Sequence, residues 1–237
     1  MSYIEGFVAA VPRANKDAYK KHATDALPYF KKLGATRIVE NWGDDVPDGK
    51  VTDFKRSVKA GADEDVIFSW VEYPDKATRD RANESMRNDS EMTESMKSMP
   101  FDGKRMIWGG FEPVNDSGKA ERPGYVDGCL IPVPAANKAD YLELADKNAV
   151  IYKQYGATRV VDAWGDDVPD GTVTDYKGAV QAHEGETVIF SWIEWPSKEA
   201  RDEGWEKLMK DPRMTDMKMP FDGQRMIYGG FSTMMDA

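Results

Sequence analysis

At 237 residues and 41% hydrophobic content, the chain is long enough to bury a substantial core. Its net charge of −10 argues against a nucleic-acid partner, because binding a phosphate backbone needs clustered Lys and Arg. No segment approaches the roughly 18 apolar residues of a membrane-spanning helix, and the lone Cys129 cannot form an internal disulfide. A cytoplasmic protein with no membrane partner is expected.

The elements are read in chain order. Residues 3–11 are rich in aliphatic and aromatic side chains and stop at Pro12, which predicts a strand. Asn15 is a plausible N-cap for a helix over 16–33, and Gly34 is its stop. Pro28 lies inside that helix and is expected to kink it. Residues 36–42 predict a second strand, Gly43-Asp44-Asp45-Val46-Pro47-Asp48-Gly49 a turn, and 51–60 a returning strand. Residues 65–73 carry the strongest strand signal, with Val, Ile, Phe, Trp and Tyr close together. Pro74 ends it, and Asp75 opens a second helix to about Asn88. A Met-rich connection, 92–99, precedes a last strand over 104–111.

The same signals then recur. Residues 42–49 reappear unchanged at 164–171, and setting residue n against n+122 over 3–93 gives 44 identities in 91 positions. Beyond a two-residue deletion, 100–111 matches 220–231 at 10 of 12 positions. Two copies of one domain have been fused. The expected division is a first repeat at 1–113, a solvated linker at 114–123 and a second repeat at 124–237. Each copy reads β-α-β-β-α-β, the ferredoxin-like pattern of the α+β class, with both helices on one face of an antiparallel sheet. The bare face needs a cover. The other copy can supply it, so the two sheets are expected to close into one α/β barrel, an internal pseudo-dimer. A further homodimer is compatible with this arrangement.

Strand alternation sorts the polar residues that occur in both copies. Glu40 shares a face with Trp42, and Asp162 with Trp164; Glu72 shares a face with Trp70, and Glu194 with Trp192. A carboxyl group held against an aromatic ring has a raised pKa, as a general acid or base requires. Glu72, Glu194, Glu40 and Asp162 are therefore the candidate catalytic groups. Trp42, Trp70, Trp164 and Trp192 are the candidate walls of a ligand pocket between the sheets. The duplicated arginines Arg37, Arg159, Arg105 and Arg225 could hold a ligand anion, or pair with neighbouring acids to pin strands. His22 and His183 are not duplicated, so histidine catalysis is disfavoured. The Asp-rich turn lacks the spacing of a calcium loop, and no metal or other cofactor is expected. Cys129 reads as a buried small hydrophobe.

Three stretches together, Trp-Gly-Asp-Asp-Val-Pro, Phe-Ser-Trp-(Val/Ile)-Glu-(Tyr/Trp)-Pro and Pro-Phe-Asp-Gly-x-Arg-Met-Ile-(Trp/Tyr)-Gly-Gly-Phe, resemble the YbaA-like family of small bacterial proteins of unknown function. The resemblance runs through both copies and implies a dimeric α/β-barrel fold. Members are usually one copy long, so the tandem arrangement is a departure. The family supplies no agreed catalytic residues. Two functional expectations follow: a barrel that binds a small molecule without catalysis, or a cofactor-independent monooxygenase or isomerase acting on a small aromatic or polyketide-like substrate.

Overall fold

A computed structural model of the chain describes residues 2–90, 98–215 and 217–237. The first copy contributes β1 (Tyr3–Pro12), α1 (Lys16–Lys32), β2 (Arg37–Asp45), α2 (Phe54–Ser57), β3 (Glu64–Tyr73), α3 (Lys76–Asn88) and β4 (Ile107–Gly118). The second contributes β5 (Tyr125–Pro134), α4 (Lys138–Gln154), β6 (Arg159–Asp167), α5 (Tyr176–Ala179), β7 (Glu186–Trp195), α6 (Lys198–Leu208), α7 (Pro212–Thr215) and β8 (Ile227–Asp236). The strands close into one antiparallel barrel in the order β1-β3-β2-β8-β5-β7-β6-β4. The copies join at β2–β8 and β4–β6, so the pseudo-dimer is held by backbone hydrogen bonds as well as by packing. Most of the Met-rich connection expected at 92–99 lies outside the described residues.

The expected strand over 51–60 is instead the short helix α2. Phe54, Ser57 and Val58 are buried at helical spacing, and the Asp53 carboxylate caps the turn by accepting from Arg56 N at 2.8 Å. Lys59 then leaves in the left-handed region, at φ 51°. The last strand also differs from expectation, because it runs on to Gly118. The first residues of the supposed linker pair with β6, Asn115 opposite Asp162 and Gly118 opposite Arg159. α1 continues through Pro28. Asn15 stands at its N-terminus without capping it, and donates instead to the Pro100 carbonyl at 2.8 Å.

The barrel interior is packed with side chains. Phe68 and Phe190, one from each copy, stack at 4.4 Å between ring centroids and 3° between planes. Trp70 and Trp192 stack beside them at 4.4 Å and 29°. This close approach requires glycine on the adjoining strands, since a Cβ at Gly6 would lie 2.8 Å from the Phe190 ring and one at Gly128 would lie 2.9 Å from Phe68. Phe54 of α2 and Tyr176 of α5 add rings edge-on to this stack.

Arg37, Glu72, Arg159 and Glu194 form a buried ion-pair cluster beyond the tryptophans. Arg37 Nη1 lies 2.8 Å from Glu194 Oε1, and Arg159 Nη1 lies 2.7 Å from Glu72 Oε1. Trp70 and Trp192 donate their indole N–H groups to Glu72 and Glu194.

Candidate functional site

Stacked rings occupy the space between the two sheets where a pocket was expected. Trp42 and Trp164 point the other way, onto the outer face, where Tyr19 and Tyr141 of the long helices pack against them. Arg37, Arg159, Glu72 and Glu194 satisfy one another, with Asp236 and Asp116 as outer partners of the two arginines. Arg105 and Arg225 form bidentate pairs with Glu64 and Glu186. These arginines pin strands together.

The aspartates of the duplicated turn are similarly engaged. Asp44 accepts from Tyr125 of the other copy at 2.9 Å, and Asp166 accepts from Tyr3 at 2.8 Å. Asp45 pairs with Arg201 and Asp167 with Arg79, again between copies. Among the described residues no three His, Cys, Asp or Glu side chains group so as to hold a metal ion.

A cavity of 840 Å³ opens elsewhere, in the first copy, between the outer face of the sheet and the helices α1 and α3. The pleat explains its lining. Interior positions of β1 and β3 fill the barrel, so the alternate residues Glu5, Phe7, Ala9, Ile67, Ser69 and Val71 face the helices, joined by Ile38 and Glu40 of β2. α1 contributes Tyr19, His22, Ala26 and Phe30, and α3 contributes Asn83 and Met86. The walls are mainly apolar, with the carboxyl groups of Glu5, Asp25, Glu40 and Asp89, the cations Lys21 and Arg87, and a few hydroxyls set among them. Glu40 is thus the one expected catalytic candidate that lines this cavity.

Glu40 accepts from Tyr19 Oη at 2.7 Å and from Ser69 Oγ, both at Oε2. Its other oxygen, Oε1, accepts from none of the described residues. Removal from bulk water raises its pKa above 4.5, opposed by those two hydroxyl donors. Glu5, 2% exposed, accepts from Arg79 Nε at 3.1 Å and Asn83 Nδ2 at 2.8 Å, both at Oε1. Its Oε2 is buried without a partner among the described residues. Burial also raises this carboxyl, against the pull of Arg79. His22 is lowered by burial, with Asp25 opposing, and its ring meets Phe101 edge-on.

The second copy closes the same place. Asp162, at the position of Glu40, uses both oxygens: Oδ1 accepts from Tyr141 at 2.8 Å and Oδ2 from Asn115 at 3.2 Å. Asp127, at the position of Glu5, accepts from Arg201 at Oδ1 and from the indoles of Trp195 and Trp205 at Oδ2. Those tryptophans stand where the first copy has Tyr73 and Asn83, and Leu144 stands where it has His22. A groove of 1120 Å³ remains over this region, but it is lined by Asp140, Glu143, Lys147 and Leu144 and does not include Asp162, Ser191 or Asp127. Among the described residues, this groove matches the mouth of the first-copy cavity, with Asp140, Glu143 and Leu144 at the positions of Ala18, Lys21 and His22.

Sequence comparison places this geometry in context. The model of a family described as a protein of unknown function, DUF1428, matches residues 2–103 and again 124–223. The uncharacterized protein YbaA of Escherichia coli K12 is 60% identical over 116 residues, 49% of this chain and 99% of the relative; the Shigella flexneri protein matches equally. These relatives are therefore one copy long. Among solved structures, a candidate monooxygenase from Lactobacillus acidophilus superposes with a TM-score of 0.58 at 13% identity, covering 100% of this chain and 96% of the other. An anthrone oxidase-like protein superposes at 0.56 and 10% identity, covering 100% and 92%. At such identities the likeness is one of fold. The chain belongs to the DUF1428 family, as a tandem of two of its domains.

Proposed function

We propose that the protein binds a small, mainly apolar molecule in the cavity of its first copy, and that the second copy serves as the structural half of the barrel. The observation that carries this is the contrast between matched residues. Glu40 and Glu5, which line an 840 Å³ space, each keep one oxygen without a partner among the described residues, whereas Asp162 and Asp127 are capped by side chains. Apolar walls with a few fixed polar groups are the usual make-up of a small-molecule site. Native mass spectrometry of protein taken directly from cells tests the reading. One bound molecule per chain is expected, lost in Ala26→Trp, which fills the cavity from α1. Retention of the same adduct by a folded Ala26→Trp variant would place the ligand elsewhere.

A second reading, cofactor-independent catalysis, is favoured by one feature. Glu40 is a desolvated carboxyl with a raised pKa, fixed by Tyr19 and Ser69 at the wall of the cavity, which suits proton transfer to or from a bound ring. The candidate monooxygenase and the anthrone oxidase-like protein share the fold, and a shared fold is weak support for a shared reaction. Under this reading Glu40→Gln retains binding and loses turnover. The unpaired Cys129, with its thiol pushed up by burial, fits a reducing compartment, and on that ground we place the protein in the cytoplasm.

A further inference from the structure

The second copy shows what a filled version of the cavity contains. At one end Trp205, from α6, lays its ring against Tyr152 at 5.9 Å and donates its indole N–H to Asp127 Oδ2 at 2.7 Å. The first copy has the same frame: an acidic residue on the outer face of its first strand, Glu5, with an arginine of α3, Arg79, bonded to one oxygen. Asn83 replaces the indole, and Phe30 stands where Tyr152 does. Asn83 reaches Glu5 Oε1 only, so Oε2 stays buried without a partner among the described residues, as do the donors Arg79 Nη2 and Tyr73 Oη. An orphaned buried acceptor is costly, of the order of 1–3 kcal/mol, unless a donor reaches it. At this end the first copy lacks the ring that the second copy has, and carries a carboxylate at the same place.

We propose, building on the cavity assigned above, that the ligand carries a flat aromatic ring with an N–H or O–H donor. The ring lies against Glu5 in the position that the indole of Trp205 fills in the second copy, and its donor bonds Glu5 Oε2. Phe30, Val71 and Ile38 supply the apolar walls at this end. The rest of the 840 Å³ extends to Glu40 and Tyr19, which leaves room for a molecule of more than two fused rings.

The test uses the full chain and four probes in two matched pairs, titrated calorimetrically: indole against 1-methylindole, and 2-naphthol against 2-methoxynaphthalene. Methylation keeps the ring and removes the donor. The donor-bearing member of each pair is expected to bind at least ten-fold more tightly, and Glu5→Gln is expected to shrink that ratio. Asn83→Trp, which copies the second half, is expected to abolish indole binding while leaving the melting temperature unchanged or higher. Equal affinity within both pairs would overturn the donor assignment while leaving the cavity in place. Indole binding undiminished in Asn83→Trp would overturn the position of the ring. Failure of all four probes to bind the parent protein would overturn the cavity reading itself, and this inference with it.

Discussion

Asn83 and Trp205 occupy the same position of the repeat with opposite consequences. Asn83 bonds one oxygen of Glu5 and leaves the other buried without a partner among the described residues, whereas Trp205 closes the carboxylate of Asp127 with its ring nitrogen. Trp205 also packs against the cluster around Trp195, Ile193 and Leu208. Trp205→Asn is therefore expected to cost about 1–3 kcal/mol, below the usual penalty for a fully buried tryptophan because this one is only half-buried. Urea denaturation measures it, and a loss under 0.5 kcal/mol would show that the indole is not a structural plug.

The Arg37–Glu194 pair closes one end of the barrel between copies, with Glu194 fully buried. Removing the Glu194 charge takes one acid from the cluster and leaves Arg37 with Asp236 and Glu72. Glu194→Gln is expected to lose about 1–3 kcal/mol of stability, with the ligand cavity unaffected because the cluster lies on the inner face. A Glu72→Gln, Glu194→Gln double variant as stable as the parent would contradict the burial of this cluster.

At Gly6 a methyl group would meet the Phe190 ring at 2.8 Å. Gly6→Ala must push the Phe68–Phe190 stack off its axis, and about 1–3 kcal/mol of destabilisation is expected. Gly128→Ala, its counterpart against Phe68, should behave alike. Thermal unfolding of both variants checks this, and unchanged melting temperatures would show that the stack has room to move.

The duplication, the strand order and the pairing of each acid with its tryptophan were legible in the sequence. Which face turned inward was not, for a physical reason. β3 and β7 are covered by rings inside the barrel and by helices outside, so eight successive residues of each are buried and alternation carries no polarity signal. Phe54 and Val58 make 51–60 resemble a strand, although Asp53 three residues ahead of Arg56 marks a helix start. The candidate site was hidden by the filter that favoured duplicated residues. Its distinguishing positions, His22 and Asn83, are those at which the copies differ.

The pH dependence of stability should expose Glu40. Its folded pKa is raised, chiefly by burial, from an ordinary value of 4.5. The folded protein then holds a proton that the unfolded chain releases. This share of stability is complete below about pH 4.5 and is lost as pH rises through the folded-state value. Glu40→Gln removes that loss, so the melting temperature of the variant relative to the parent should rise as pH increases above 4.5. A difference that stays constant with pH would show a carboxyl titrating as in water.

The claim that one copy binds and the other supports is tested most directly by the methionine methyl resonances. Met86, Met99 and Met106 line the cavity of the first copy, whereas Met217 and Met219 line the groove of the second and Met226 packs beside Trp164. Titration with 2-naphthol, followed by ¹³C-methyl NMR, should shift the first three, with saturation at one equivalent per chain, and leave the last three in place. Shifts at Met217, Met219 and Met226, or two equivalents bound, would contradict a single site in the first copy.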